Sequence, residues 1–203
     1  SQKDLQFYRF LRLSVDYRKY LLLGYHGTTQ FAVKFLTGIA YAYGNENGFQ
    51  LPYEKNFFMG GPSSLRAWKP RRLGPGANSS SGLIEQPGSM LLETSAELRF
   101  KLFKFFGVMN GALFVDAGNV WNFNQSNAPQ ETVFKLNTFY DQLAVGTGFG
   151  LRWDFNYFLL RLDLATKVIN PANEANKKWV LNKTALSVGE NPIEFNIGIG
   201  YPF

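Results

Sequence analysis

The segment Gln142-Leu143-Ala144-Val145-Gly146-Thr147-Gly148-Phe149-Gly150-Leu151-Arg152-Trp153-Asp154 decides the fold. Successive side chains of a strand point to opposite faces. Leu143, Val145, Phe149, Leu151 and Trp153 therefore share one face, and Gln142, Ala144, Gly146, Gly148, Gly150, Arg152 and Asp154 share the other. The pattern predicts a strand over about 140–154 with one bulky apolar side and one small or polar side. The next run, about 156–168, repeats the logic. Phe158, Leu160, Leu162 and Leu164 face one way, while Arg161, Asp163 and Lys167 face the other, which must be wet or internally ion-paired. The same alternation recurs near 5–18, 28–43, 90–103, 106–121 and 192–203, giving seven predicted strands.

Large aromatics along the outward faces suit lipid, and polar or small residues opposite them suit a water-filled interior. A soluble sandwich would hide those outward aromatics under a second sheet. Composition agrees with the membrane reading: 203 residues include 20 Phe, 10 Tyr, 4 Trp and 20 Gly, a β-rich inventory. No apolar run approaches the roughly 18 residues of a membrane helix. That excludes helical spans and leaves strands free to cross. The fold class expected is all-β, an antiparallel transmembrane β-barrel.

The connections alternate in length. Short links fall near Gly24–Gly27, Phe103–Phe105 and Phe155–Asn156, and long ones run about 44–89, 122–139 and 169–191. Outer-membrane barrels show that asymmetry, with short periplasmic turns and longer outer loops, which puts the end of the polypeptide on the periplasmic side. Seven strands form an open sheet with two bare edges, whereas bacterial single-chain barrels close with an even number. The chain opens on polar Ser1-Gln2-Lys3-Asp4 with no apolar core behind it, so it reads as mature, processed or cut from something longer.

Chemistry is sparse. With no cysteine there are no disulfides, thiolate metal sites or Cys nucleophiles. His26 is the single histidine and sits in a turn beside Gly27, so neither a His-based triad nor a multi-histidine metal site can be built. No serine lies in a Gly-x-Ser-x-Gly context, and a carboxylate dyad would have to come from Glu93, Glu97 and Asp116. An enzyme is not expected, and neither is a cofactor. The net charge of +6 comes from basic residues scattered among strands and loops, which lacks the footprint of a nucleic-acid binder.

Two segments stand out. Phe57-Phe58-Met59-Gly60-Gly61-Pro62-Ser63-Ser64-Leu65-Arg66-Ala67-Trp68 lies in the longest loop, and Phe114-Val115-Asp116-Ala117-Gly118 lies on a strand. If Asp116 faces inward, Asn110, Ala112, Phe114 and Gly118 share its face, and Leu113 and Val115 point to lipid. Glu97 shares an inward face with Glu93, Ser95, Arg99 and Lys101 on the preceding strand. Two carboxylates near one guanidinium suit arginine's planar fork of five donors. Gly60, Gly61, Gly74 and Gly76 read as turn glycines that shape the loop.

These segments resemble the BamA/TamA group of outer-membrane assembly and translocation barrels over nearly the whole chain. The loop is similar to that family's Gly-Gly followed by an Arg-Gly-aromatic tip, with Ala67 here in place of the glycine that permits positive φ. The Phe114 to Gly118 segment resembles the family's Phe-x-Asp-x-Gly strand. The alternating Phe195, Ile197, Ile199, Tyr201 and Phe203 resemble the aromatic carboxyl-terminal signal of assembled barrels. The resemblance implies the last seven of sixteen strands, with the remaining strands and periplasmic domains lying upstream. It implies a lumen latch of Arg66 and Trp68, shaped by Gly60 and Gly61, against the wall acids Asp116 and Glu97. It also implies a seam at the final strand, where Gly198 and Gly200 weaken closure and an unfolded β-barrel client adds its strand. The implied partners are such clients, accessory periplasmic or outer-membrane lipoproteins, the bilayer and the rest of the barrel. A polypeptide-secreting barrel and a passive diffusion pore are the alternatives.

Overall fold

The computed structural model describes residues 8–24, 28–43, 51–78, 84–104, 106–123, 128–186, 189 and 191–203. Its main element is one antiparallel sheet of seven strands: β1 (Phe10–Leu23), β2 (Thr29–Ala42), β3 (Met90–Lys104), β4 (Val108–Trp121), β5 (Ala144–Asp154), β6 (Leu159–Ile169) and β9 (Glu194–Ile199). Each strand pairs with its neighbour in sequence. The two-residue strands β7 (Thr184–Ala185) and β8 (Asn191–Pro192) pair in parallel within the last long connection.

The two faces separate as the alternation requires. On β4, Ala112, Phe114 and Asp116 are buried while Leu113 and Val115 are half exposed. Leu11, Leu13, Val15, Phe149, Leu164, Phe195 and Ile197 extend that exposed apolar face across the sheet. Near the short-link end it finishes in aromatics: Trp153 stacks on Phe155 at 4.6 Å between ring centroids, and Phe155 on Phe158 at 4.9 Å. A continuous apolar face rimmed by aromatics is what a lipid-facing wall presents.

The inner face is covered by the long loop between β2 and β3. Phe57, Met59, Leu65, Ala67, Trp68 and Leu73 of the loop pack with Ala40, Leu91, Phe114, Val120, Ala144 and Ala165 of the wall. Half of these wall residues are alanine, which leaves room for the loop. The loop also ties distant strands together. Lys34 on β2 donates to the carbonyl of Ser63 and Asn196 on β9 donates to that of Arg66. Those two strands are five spacings apart, about 24 Å in a flat sheet, whereas three residues of chain span only about 10 Å and the two side chains stand off the wall more than they run along it, so the sheet curls toward the loop.

Three strand boundaries differ from the sequence reading. The first strand runs Phe10–Leu23 instead of 5–18, because pairing with β2 from Phe10↔Ala42 to Leu23↔Thr29 carries it through Tyr20-Leu21-Leu22, where the alternation fails. Residues 5–7 of the expected strand, and His26, lie outside the described residues. The strand expected from 140 begins at Ala144, since Phe139–Gln142 form a 3-10 turn. Gln142 is drawn off by its neighbours: its backbone carbonyl accepts from Asn119 Nδ2 at 2.6 Å and its side-chain oxygen from Trp121 Nε1 at 2.7 Å. The final strand is six residues, Glu194–Ile199, rather than 192–203. Gly200, at φ +83°, takes the chain out of the sheet, and Phe203 ends 6% exposed on the inner side instead of continuing the outward row. Lys101 shares the inward parity of β3 but is exposed, beside the irregularity at Lys101/Phe103.

Candidate functional site: the loop tip on the inner wall

Arg66 occupies the tip of the folded-in loop. Gly60 and Gly61 set the tip's geometry, with φ of +107° and +96°, values that side-chain-bearing residues avoid. The Gly61 N–H donates to the Trp68 carbonyl at 2.8 Å and closes the turn around the tip. Ala67 is not among the residues at positive φ, so the alanine that replaces the family's glycine carries no backbone strain. Its methyl group lies over Gly146 on β5, where an added Cβ would come within 2.7 Å of it. Trp68 is buried beside it, with Lys167 Nζ 5.5 Å from its ring centroid. Gly146→Ala is therefore expected to lift the tip and cost about 1–2 kcal/mol, read as a lower urea midpoint of the barrel.

The Arg66 guanidinium binds both carboxylates singled out in the sequence. Nε and Nη2 donate to Asp116 Oδ2 and Oδ1 at 2.8 and 2.7 Å, and Nη1 donates to Glu97 Oε2 at 2.6 Å. The Arg66 backbone N–H adds a bond to Asp116 Oδ2 at 3.2 Å. All three side chains are at most 1% exposed, so these charges are withdrawn from water and depend on one another. The guanidinium carbon also lies 3.4 Å from the centroid of Phe114, which gives that motif residue a direct role as an aromatic floor. Gly118 admits the loop's flank: a Cβ there would meet the Leu92 carbonyl at 2.3 Å and Met59 at 3.1 Å.

Several participants were not singled out from sequence. Glu97 is shared, accepting from Arg99 Nε at 2.8 Å and from Arg152 Nη2 at 3.0 Å. Arg152 also bonds Asp163, and Arg161 lies 3.3 Å from the same acid. A second cluster holds the other flank of the tip: Lys34 Nζ donates to Glu93 at 2.6 Å, and Ser64 Oγ donates to the other oxygen of Glu93 at 2.7 Å. Ser95 Oγ donates to Asp116 at 2.8 Å. The available signal was parity together with glycine: Gly146, Gly148 and Gly150 clear the inner face of β5, and Arg152 follows on that face. A Cβ at 150 would collide with Arg152 and Asp163.

The carboxyl-terminal residues divide. Phe195, Ile197 and Ile199 are outwardly exposed, whereas Tyr201, beyond Gly200, is partly exposed and turned toward Arg99. Gly198 sits opposite Arg161 in the β6–β9 ladder, and a Cβ there would come within 2.6 Å of its guanidinium, so this glycine makes room for a wall arginine. Gly200 has open space around it and serves the change of direction. Among the described residues, no group of three or more His, Cys, Asp or Glu side chains is arranged to hold a metal ion.

An antiparallel sheet with a lipid-facing outer wall and a loop arginine bound inside it defines a segment of an outer-membrane β-barrel. The family model described as the Omp85 superfamily domain matches residues 4–203, and the chain belongs to that superfamily. It is 30% identical over 132 residues to the outer membrane protein assembly factor BamA of Neisseria meningitidis serogroup B, a match covering 57% of this chain and 16% of that protein. The crystal structure of BamA from Haemophilus ducreyi lacking POTRA domains 1–3 superposes with a TM-score of 0.61 at 17% identity, covering 93% of this chain and 34% of that one. The chain thus spans a sixth of the length of that curated relative and a third of that structure. It is an Omp85-superfamily barrel chain of the bacterial outer membrane.

Proposed function

We propose that this chain is the carboxyl-terminal part of a roughly sixteen-stranded barrel that inserts and folds β-barrel clients in the outer membrane. Upstream strands would complete its wall and periplasmic domains would precede them. The observation that carries the reading, beyond family membership, is the state of β9. It pairs with β6 over only six residue pairs, whereas every other ladder of the sheet runs to ten or more. A short strand with free N–H and C=O groups is a template to which another strand can add by backbone hydrogen bonds. In the completed barrel this edge would face the first strand, forming a seam that opens to admit the client. The client itself, its delivery by accessory lipoproteins and the remaining wall are partners in this reading. The work is done by sheet pairing and requires no catalytic residue.

The test uses the full-length protein in liposomes, following the appearance of protease-protected, folded client added in urea. Acceleration over empty liposomes is expected. Folding no faster than in empty liposomes, together with export of a polypeptide through the lumen or a large steady conductance, would replace this reading with a secretion channel or a diffusion pore.

A further inference from the structure

The loop tip and the end of the chain are held by the same buried groups. Asn196 on β9 donates from Nδ2 to the Arg66 carbonyl at 2.9 Å, which ties the final strand directly to the loop. A second route runs through Glu97. One of its oxygens accepts from Arg66 and the other from Arg99. Arg99 is itself buried, and its other two nitrogens also donate: Nη1 to Gln30 Oε1 at 2.9 Å and Nη2 to the Phe203 carbonyl at 3.2 Å. Its guanidinium carbon lies 4.3 Å from the Tyr201 ring centroid and 5.7 Å from that of Phe203. The segment beyond Gly200 is therefore clamped inward by an arginine that Glu97 orients.

We propose that Asn196 and the Glu97–Arg99 pair are positioning residues that couple the loop tip to the final strand, so that seating of Arg66 fixes β9 and the inward-turned segment after it. The inference goes beyond the assembly reading, because it concerns where the strand sits and not what adds to it. The geometry favours coupling over two separate contacts. Glu97 is shared by Arg66, Arg99 and Arg152, so loss of the Arg66 bond leaves its charge to be balanced by the other two and shifts the carboxylate that orients Arg99. Asn196 acts on the peptide carbonyl of Arg66 itself, so displacement of that residue breaks this bond too.

The experiment measures spin-label distances in the full-length protein reconstituted in lipid nanodiscs. Labels at Leu113→Cys on the outer face of β4 and at Ile199→Cys at the end of β9 report the final strand. Labels at Leu113→Cys and Pro62→Cys report the loop. Arg66→Lys keeps the charge but loses the fork, and it is expected to deplete the short native distance in both pairs. Asn196→Ala and Arg99→Leu are expected to deplete it only for the final strand, with a larger loss when combined. Arg99→Lys, which keeps the cation over the rings, should retain more of it than Arg99→Leu. Loop displacement in Arg66→Lys with the Ile199 distance unchanged would overturn the coupling. If Arg66→Lys does not fold, an unchanged Ile199 distance in the Asn196→Ala, Arg99→Leu double variant overturns it equally. Client folding is not read, so a failed assembly activity leaves this result interpretable.

Discussion

Arg66→Ala is expected to destabilise the full-length barrel by about 3–5 kcal/mol, the cost of removing one partner from a buried ion pair. The two acids do not suffer equally. Glu97 keeps Arg99 and Arg152, whereas Asp116 is left with the Ser95 hydroxyl and, if the loop stays, a backbone N–H. A fully buried carboxylate with so little compensation drives the loss. The intact network contributes much less than this figure, because bringing the Arg66, Arg99, Arg152 and Arg161 charges out of water offsets most of their attraction to the acids. Arg66→Lys should recover under half, since an ammonium cannot donate along the parallel directions that now meet both Asp116 oxygens and Glu97. The urea midpoint of the folded species, followed by its shift in electrophoretic mobility without boiling, gives both numbers. Wild-type midpoints for both variants would remove the structural case for a latch. Client folding measured alongside tests its functional role: activity lost in Arg66→Ala at urea-free conditions, with the barrel still folded, supports the latch as part of the assembly cycle.

Gly60→Val is expected to unseat the loop, at a cost on the order of 3 kcal/mol from positive-φ strain and overpacking together. A Cβ at 60 would lie 2.3 Å from the Lys69 carbonyl oxygen, which belongs to the returning arm of the same turn and cannot retreat without opening it. Opening that turn breaks the Gly61 to Trp68 bond and pulls Arg66 from its acids. Limited proteolysis should then cut within 56–72, where the wild-type loop is protected. Gly24→Val is the matched control. Gly24 also has positive φ, +84°, but nothing lies within 4 Å of an added Cβ, so only about 1–2 kcal/mol of backbone strain is expected. Equal sensitivity at the two positions would mean that backbone strain, and not the close approach to Lys69, governs the loop.

Much of the wall was legible because its signal is local. The faces of β4, β5 and β6 follow from alternation alone, and so does the prediction that Arg161 and Asp163 would face an interior that is wet or internally ion-paired. Boundaries failed where a partner overrode the local pattern. Tyr20-Leu21-Leu22 breaks the alternation yet is strand, because β2 lies alongside to pair with it. Residues 140–142 fall within the expected strand yet are not strand, because Asn119 and Trp121 hold Gln142 in the loop. Tyr201 and Phe203 continue it too, but Gly200 turns them away and Arg99 receives them inside. For the site, Arg66 and Asp116 were reachable through the loop and strand motifs, and Glu97 through its inward parity on the preceding strand. Lys34, Arg152 and Asn196 carry no motif; each is one polar residue on a correctly phased strand.

By itself, then, the sequence determined which side chains face lipid and which face the interior, because that choice depends only on a residue's parity within its strand. It also determined that the loop could turn at Gly60-Gly61, a property of two residues. Only the tertiary structure decided which buried charge meets which. Arg66 finds Glu97 31 residues away and Asp116 50 residues away, and Asn196 reaches the Arg66 carbonyl across 130 residues. Those distances in sequence are closed by ladder register and by the curl of the sheet. Both are collective properties of all seven strands, so no single stretch of the chain can encode them.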